Sequence, residues 1–477
     1  MVEFNGDTHI PVDGGLSFRV AEQCQFNNYN NMDRRSFVKN SAVIGAAAAL
    51  PRFSFAQVKG SDRVKVALVG CGGRGTGAAC NMIAADPNVK FVALGDLFNG
   101  RSDRAANKIY EFAKKTVGEA KASEIIDTSK VKKFVGWDNI DQVLAEDVDL
   151  VIDATPPVFR TPHYEKIVAA GKHAFLEKPG AVDVIQGRKM YELAKEAEKK
   201  GLCVVCGNQR RYDNRYQDLV KRMQDGEIGE LLAGQCYWNN GGYIGGSAEG
   251  GPWGGGKEGT EDTLEYQIRN WWSFIWVSGD HIVEQHVHNI DVLMWAFGDD
   301  RLPIEVTTAL GGRSTDLPCP RFGDRFSHFA IDFDMGNGLR MESYCHQDPN
   351  TSPNVSERIV GSKGIFQGLR LTDLKGKTIY APAKLELDPY IAEHKYLLSA
   401  IRSGKRVNEL KNLMNSNMAA IAGRMSAFSG KRFKYEWMVK KSTEDIVPKN
   451  VDLMGKTQDL SLKNPVSVPV PGKYKLV

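Results

Sequence analysis

This 477-residue chain lacks any apolar run of the about 18–20 residues that a membrane-spanning helix needs. The small apolar run from Ser41 to Leu50 has instead the length of a signal h-region. An excess of one charge is also missing: 62 Lys and Arg stand against 58 Asp and Glu, a net charge of +4. With no basic stripe, a nucleic-acid partner is not expected. Cysteine is scarce, with eight in all. Cys203 and Cys206 are spaced like a redox pair but sit in an apolar run that reads as a strand, where positions three apart face opposite sides. Core packing is therefore expected there rather than a disulfide. No internal repeat is present.

The first positive feature is a leader. Asp33-Arg34-Arg35-Ser36-Phe37-Val38-Lys39, just before the Ser41–Leu50 run, reads as a twin-arginine export signal, an address rather than an anchor. Ser54-Phe55-Ala56 is a small-residue cleavage site, so the mature chain is expected to begin near Gln57, with Met32 a second candidate start. The expectation is a periplasmic protein with no stable membrane insertion.

At this length two domains are expected. From Val64 to Cys206 short apolar runs (Val64–Val69, Lys90–Leu94, Leu150–Ala154, His173–Leu176, Leu202–Val205) alternate with helical stretches (Thr76–Ala85, Arg104–Thr116, Pro162–Ala170, Val184–Lys199). That alternation predicts an α/β Rossmann fold, a doubly wound parallel sheet. Beyond it, strand-like segments at Leu231–Trp238, Ile304–Leu310, His328–Met335 and Leu339–Tyr344 and a helix at Ile290–Phe297 predict an α+β domain with an open, mostly antiparallel sheet. The expected boundaries are a leader over 1–56, a nucleotide domain over 61–206, a substrate domain over 207–440 and an extended tail over 441–477. Asn239–Gly259 reads as a Gly-rich loop carrying Tyr243 and Trp253. The helical region from Pro389 to Gly430 is expected to pack back on the first domain.

The chemistry begins at Gly70-Cys71-Gly72-Gly73-Arg74-Gly75, which follows a strand and opens a helix. Gly70 permits the tight turn, Gly72 and Gly73 let the backbone approach a pyrophosphate, and Gly75 lets helix and strand pack closely. The amides at the helix start then face the anion. Asp96, 21 residues past Gly75 at the end of the second strand, is placed for a ribose diol and favours NAD; Arg101 and Arg104 nearby leave NADP open. Arg74 is a candidate pyrophosphate contact.

Three further motifs follow in order: Thr155-Pro156-Pro157 with His163 downstream, Glu177-Lys178-Pro179, and Glu284-Gln285-His286-Val287-His288-Asn289-Ile290-Asp291. Together with the glycine loop they resemble the glucose–fructose oxidoreductase, inositol dehydrogenase and MocA (Gfo/Idh/MocA) family, from about Val64 to Gly430. The resemblance implies that Gly70–Gly75, Asp96, Thr155, Pro156, His163, Glu177 and Lys178 hold the dinucleotide. It implies that Lys178 touches the reacting sugar oxygen and that His288 exchanges a proton with that hydroxyl. Glu284 stands where many relatives carry Asp, keeping the carboxylate with a longer reach. The resemblance also implies a homo-oligomer, since the open sheet of that family often packs against another subunit.

Elementary chemistry agrees. A neutral imidazole is a suitable base for a hydroxyl proton, and an ammonium stabilises developing alkoxide charge. Glu284 and His288, four apart on a helix, share a face. Arg211 or Tyr212, in Asn208-Gln209-Arg210-Arg211-Tyr212, and His286 are candidate substrate contacts. Trp272, in Trp271-Trp272-Ser273-Phe274, offers a face for a sugar ring, with core filling equally open. His281, Glu284, His286 and His288 invite a metal reading, but His286 and His288 diverge by about 200° on a helix, so no metal is expected. The expected function is hydride transfer between tightly bound NAD(H) and a secondary hydroxyl of a sugar or glycoside. The alternatives are an NAD-dependent glycosidase working by transient C3 oxidation, resembling α-N-acetylgalactosaminidases, and a non-catalytic sugar-binding protein.

Overall fold

A computed structural model describes residues 63–242, 246–247, 251–252, 254–313 and 318–477. The expected leader, its twin-arginine motif and cleavage site, and Tyr243 and Trp253 lie outside the described residues.

The first layer grows from the apolar run β1 (Val64–Val69), buried along nearly its whole length as parallel strands covered on both faces require. It leads into α1 (Gly73–Ala85), then β2 (Val89–Asp96), α2 (Arg101–Val117), α3 (Glu119–Ile125), β3 (Lys132–Val135) and α4 (Asn139–Leu144). β4 (Leu150–Asp153), α5 (Arg160–Ala169), β5 (His173–Leu176), α6 (Val184–Lys199) and β6 (Val204–Cys206) complete it. The six strands pair in parallel in the order β3-β2-β1-β4-β5-β6, which puts the topological switch between β1 and β4. The strand β3 escaped the sequence reading because it is a four-residue edge strand carrying Lys132 and Lys133, the charged signature of protected edges. Cys203 and Cys206 are free thiols buried in hydrophobic clusters on opposite sides of this sheet.

After α7 (Asn214–Gln224) the chain enters a second sheet. Its strands are β7 (Leu231–Asn240), β10 (Glu305–Gly312), β11 (His328–Asp334), β12 (Arg340–Gln347), β13 (Asn354–Gly361), β14 (Gly364–Gln367), β15 (Leu371–Asp373), β16 (Thr378–Tyr380) and β17 (Phe433–Lys434). A small ribbon, β8 (Gly246–Ser247) with β9 (Gly251–Pro252), interrupts the Gly-rich segment. The nine-stranded order is β16-β15-β14-β13-β7-β12-β11-β10-β17, antiparallel except where β7 runs parallel to β12. Short helices α8 (Leu264–Arg269) and α9 (Ile275–Ser278) precede α10 (Val287–Phe297), which lies on the buried sheet face. There Gly234 leaves room for Phe297 and Leu293, because a Cβ would come within 2.6 Å of the Phe297 ring.

Two late helices bind the layers together. α11 (Pro389–Ser403) returns to the first layer, where Leu397, Leu398, Ala400 and Ile401 join the core built on Val64, Val66 and Leu68. α12 (Leu410–Ser429) is buried almost all round and touches α6, α10 and β10. Inside it, the fully buried Arg424 pairs with Glu444 at 2.7 Å and donates to the carbonyls of Val182 and Gly279. After α13 (Tyr435–Lys441) the tail runs irregularly but is pinned. Leu264 and Glu265 amides donate to the carbonyls of Leu462 and Leu460, and Trp137 Nε1 donates to the carbonyl of Asp452. No helix among the described residues is long and apolar enough to cross a membrane.

Candidate active site

The site forms where the carboxyl ends of β1 and β4 meet. Gly70, at φ +89°, packs so closely that a Cβ would lie 2.6 Å from the Ala154 carbonyl carbon. At Gly75 a Cβ would lie 2.0 Å from the Gly70 oxygen. Both glycines are therefore required by packing of the loop against β4 and α1. Gly73 faces open space, and near Gly72 only the Arg101 guanidinium comes close, at 3.7 Å. Together these glycines shape a cradle at the start of α1, open where a dinucleotide phosphate would approach.

That cradle opens into a groove of about 430 Å³. Gly70, Gly72, Gly73, Arg74, Asp96, Thr155, Pro156, His163 and Trp272 line it, so most predicted dinucleotide contacts are gathered here. The Asp96 carboxylate accepts from the amides of Cys71 at 2.8 Å and Phe98 at 2.9 Å, bracing the glycine loop. Burial pushes its pKa up. A carboxylate has about four lone-pair directions, which leaves acceptor capacity for a ribose. The far wall comes from the second half of the chain: Gly254, Ile268, Arg269, Asn270 and Trp271. This wall is fastened by an apolar cluster of Phe98, Trp137, Phe159, Ile268 and Phe274 with tail residues such as Val451 and Leu460. The Arg269 guanidinium stacks 3.9 Å from the Phe98 ring centre. Segment 254–272 thus supplies the far wall of the groove, and the tail packs behind it.

A second cavity of about 250 Å³ shares Arg74, Ala154, Thr155, Trp271 and Trp272 with the first. Lys178, Glu284 and His288 all line it. Lys178 stands just past β5. Glu284 belongs to a π-helical turn, Ile282–His286, directly before α10. Such single π turns recur at functional sites. This one follows Gly279 and Asp280, both at positive φ, where the buried Asp280 carboxylate accepts from the His281 amide at 2.6 Å and the Phe326 amide at 3.0 Å. The Lys178 ammonium donates to the Glu284 backbone carbonyl and, at 2.6 Å, to the Glu284 carboxylate. Glu284 therefore reaches Lys178; it orients the ammonium rather than the imidazole. His288, 7% exposed, stacks on Trp238 with ring centres 6.0 Å apart. Burial, with the cations Lys178, Arg210 and Arg74, holds its pKa well below the usual 6.5, so the imidazole is neutral at pH 7.

Several predicted contacts fall elsewhere. Arg211 is a corrected assignment: it lines neither cavity and grips Asp291 twice at 2.8 Å and Asp299 at 2.7 Å. Tyr212 also lines neither cavity; its hydroxyl donates to Glu409. His286 is fully buried against the sheet, with Nε2 2.8 Å from Ser343 Oγ. His281 packs on Phe329, so the four side chains of the metal reading do not converge. Arg74 is committed to Glu177, with Glu393 3.8 Å away and Tyr390 beneath its guanidinium at 4.9 Å. Glu177 lines only the smaller cavity, and Gly75 lines neither.

Sequence reasoning missed Arg160, Gln209, Trp238, Gln285 and Tyr390, which line the smaller cavity. Arg160, almost fully buried, donates to the carbonyls of Asp153 and Thr155 and pairs with Asp153 at 3.0 Å, fixing the loop after β4. Its position seven residues past Asp153 was the available signal. Gln209 stands within the polar segment Asn208–Tyr212, where pattern alone does not choose among neighbours.

Comparison with known proteins bears on the family and the fold. Residues 64–205 match the family described as "Oxidoreductase family, NAD-binding Rossmann fold". The chain is 25% identical over 362 residues to scyllo-inositol 2-dehydrogenase (NAD(+)) of Bacillus subtilis, covering 72% of this chain and 87% of that protein. It is 27% identical over 182 residues to a glycosyl hydrolase family 109 protein of Streptomyces coelicolor, covering 38% of this chain and 34% of that one. The fold is similar to that of scyllo-inositol dehydrogenase from Lactobacillus casei with bound NAD(H) and scyllo-inositol. The TM-score is 0.56 at 17% identity, covering 79% of this chain and all of that structure.

The electrostatics of His288 give a testable consequence. A lowered pKa keeps the imidazole neutral until the pH falls below that value. The pH profile of kcat/KM for a proton abstraction by His288 should therefore stay flat down to about pH 6. An acid limb at or above about 6.5 would contradict this placement.

Proposed function

The chain belongs to the Gfo/Idh/MocA family and its cofactor is NAD; from its site we propose that it moves hydride between tightly held NAD(H) and a secondary hydroxyl of a sugar or glycoside. One observation carries the reading: Lys178 and His288 share a cavity that opens onto the glycine-loop groove through Arg74, Thr155, Trp271 and Trp272. Bound NAD supplies the hydride acceptor. The neutral His288 takes the hydroxyl proton. Lys178 has three N–H donors; two go to Glu284, and the third serves the substrate oxygen as charge develops on it. Thr155, held by its hydroxyl's 2.7 Å bond to Asp153, shapes the passage between the cavities.

The wall from segment 254–272, backed by the tail, supports tight retention of the cofactor, and the leader supports work in the periplasm, where dinucleotide is not replenished from a cytoplasmic pool. A cofactor that stays bound must be regenerated on the enzyme, by a second keto substrate or within a redox-neutral cycle. That requirement, together with the glycosyl hydrolase family 109 relatives, favours the second reading, glycoside cleavage through transient C3 oxidation.

Both readings make the same first prediction. Lys178→Met and His288→Gln should each lower turnover by about 10²–10⁴-fold while NAD content after gel filtration stays at the wild-type level. Holoprotein recovered from the periplasm, and its retention in the cytoplasm when Arg34 and Arg35 are both replaced by Lys, supports export. Turnover of glycosides in deuterated water separates the two: a ketosugar marks the oxidoreductase, and aglycone release with deuterium at C2 marks the glycosidase. Full activity in both variants would sink the assignment.

A further inference from the structure

We infer that the smaller cavity takes an uncharged sugar ring and rejects carboxylated and phosphorylated analogues of it; the inference rests on the sugar reading above. The ground is the charge balance of the wall. Among the described residues three cations line this cavity, Arg74, Arg160 and Lys178. Each is already paired: Arg74 with Glu177, Arg160 with Asp153, and Lys178 with Glu284. Behind Trp238 a fourth cation, Arg210, is paired with Glu357. The carboxylates of these pairs are shielded from water, since Asp153, Glu177, Glu284 and Glu357 are at most 6% exposed, whereas the Arg74 side chain keeps an open face.

The residue next behind Arg74 adds no positive charge. Glu393 lies fully buried behind Arg74, and neither carboxyl oxygen has a hydrogen-bond partner. Burial, with Glu177 beside it, pushes its pKa well up, so it adds a neutral acid rather than a free cation. Of the other titratable wall groups, His288 is neutral for the reason already given, and burial raises the Tyr390 phenol so that it too is neutral. No wall cation is therefore spare for a substrate anion.

An anionic substituent entering this cavity has two outcomes, both unfavourable. It stays without a counter-charge in a desolvated space, or it draws Arg74 or Lys178 away and leaves Glu177 or Glu284 buried and unpaired. A hydroxyl meets neither cost: it accepts the third Lys178 N–H and reaches the side-chain amides of Gln209 and Gln285, which line the same wall. The aromatic faces of Trp238, Trp271 and Tyr390 suit the C–H surfaces of a ring. The wall is built for polarity without net charge.

The test is calorimetric titration of the NAD-loaded protein with neutral and charged partners of one ring. The neutral probes are myo-inositol and the methyl glycosides of glucose, galactose and N-acetylgalactosamine; the charged probes are the matching uronates and sugar phosphates. At least one neutral probe should bind, with its anionic partner weaker by about tenfold or more, about 1.4 kcal/mol. An anionic partner that binds as tightly as the neutral ring overturns the inference and leaves the sugar reading standing. Binding of no probe of either kind overturns the sugar reading itself. Glu177→Gln, checked for retained NAD, releases Arg74 and should narrow the gap at least about fivefold; an unchanged gap shows that charge pairing is not its cause.

Discussion

The ion pair between Lys178 and Glu284 joins the two layers of the molecule at the point where they share a wall. Lys178 stands just past β5 of the parallel sheet, and Glu284 stands on the π turn ahead of α10 in the second half of the chain. Because the ammonium takes both the backbone carbonyl and the carboxylate of Glu284, its position is fixed from two sides. A buried pair like this adds little net stability but is costly to break from one side, about 3–5 kcal/mol. Its effect is to set register between the dinucleotide groove and the substrate cavity. The other elements follow from it: the Gly279-Asp280 reversal that starts the π turn, and α12, whose Arg424 holds the carbonyls of Val182 and Gly279 on either side of the pair.

Pairing recurs throughout the site. Arg74 with Glu177, Arg160 with Asp153 and Arg210 with Glu357 each put a guanidinium on a buried carboxylate. A planar guanidinium offers several fixed donors, so each pair also orients backbone or loop. Arg160 does this for the Thr155 carbonyl and Arg424 for Val182. The cleft is thereby rigid before anything binds, and its charge is balanced internally.

Backbone constraints were the part of the site most legible in the sequence. Gly70, Gly72, Gly73 and Gly75 have spacing that only a tight turn into a helix explains, and Asp96 follows at the strand end that such a turn dictates. Lys178 and His288 were legible through the resemblance carried by short motifs. Side-chain partners were not. Arg211 and Tyr212 have the polarity of cleft residues, but Asp291, Asp299 and Glu409, distant in sequence, claim them. His286 looked like a companion of His288, yet alternate positions on a helical segment face apart, and it turns to Ser343 on the sheet. Trp238 and Tyr390 reach the cavity from β7 and α11, elements whose placement depends on the whole topology. In the second sheet β13 went unread because its alternating buried positions include Glu357 and Gly361 beside Ile359, and β14 to β16 because each is only three or four residues long.

The wall over the groove and the paired charges of the cavity support the proposal of an enzyme that retains its cofactor and acts on a ring of hydroxyls. The most direct test of that account follows the hydrogen itself. A glycoside or inositol deuterated at its ring carbons is given to the NAD-loaded protein, the reaction is quenched within the first turnover before hydride returns to the ring, and the nicotinamide is weighed by mass spectrometry. Deuterium on the nicotinamide ring is the predicted result, under either the oxidoreductase or the glycosidase cycle. A quenched first turnover in which substrate has reacted while the nicotinamide stays unlabelled would contradict the role assigned to Lys178, Glu284 and His288.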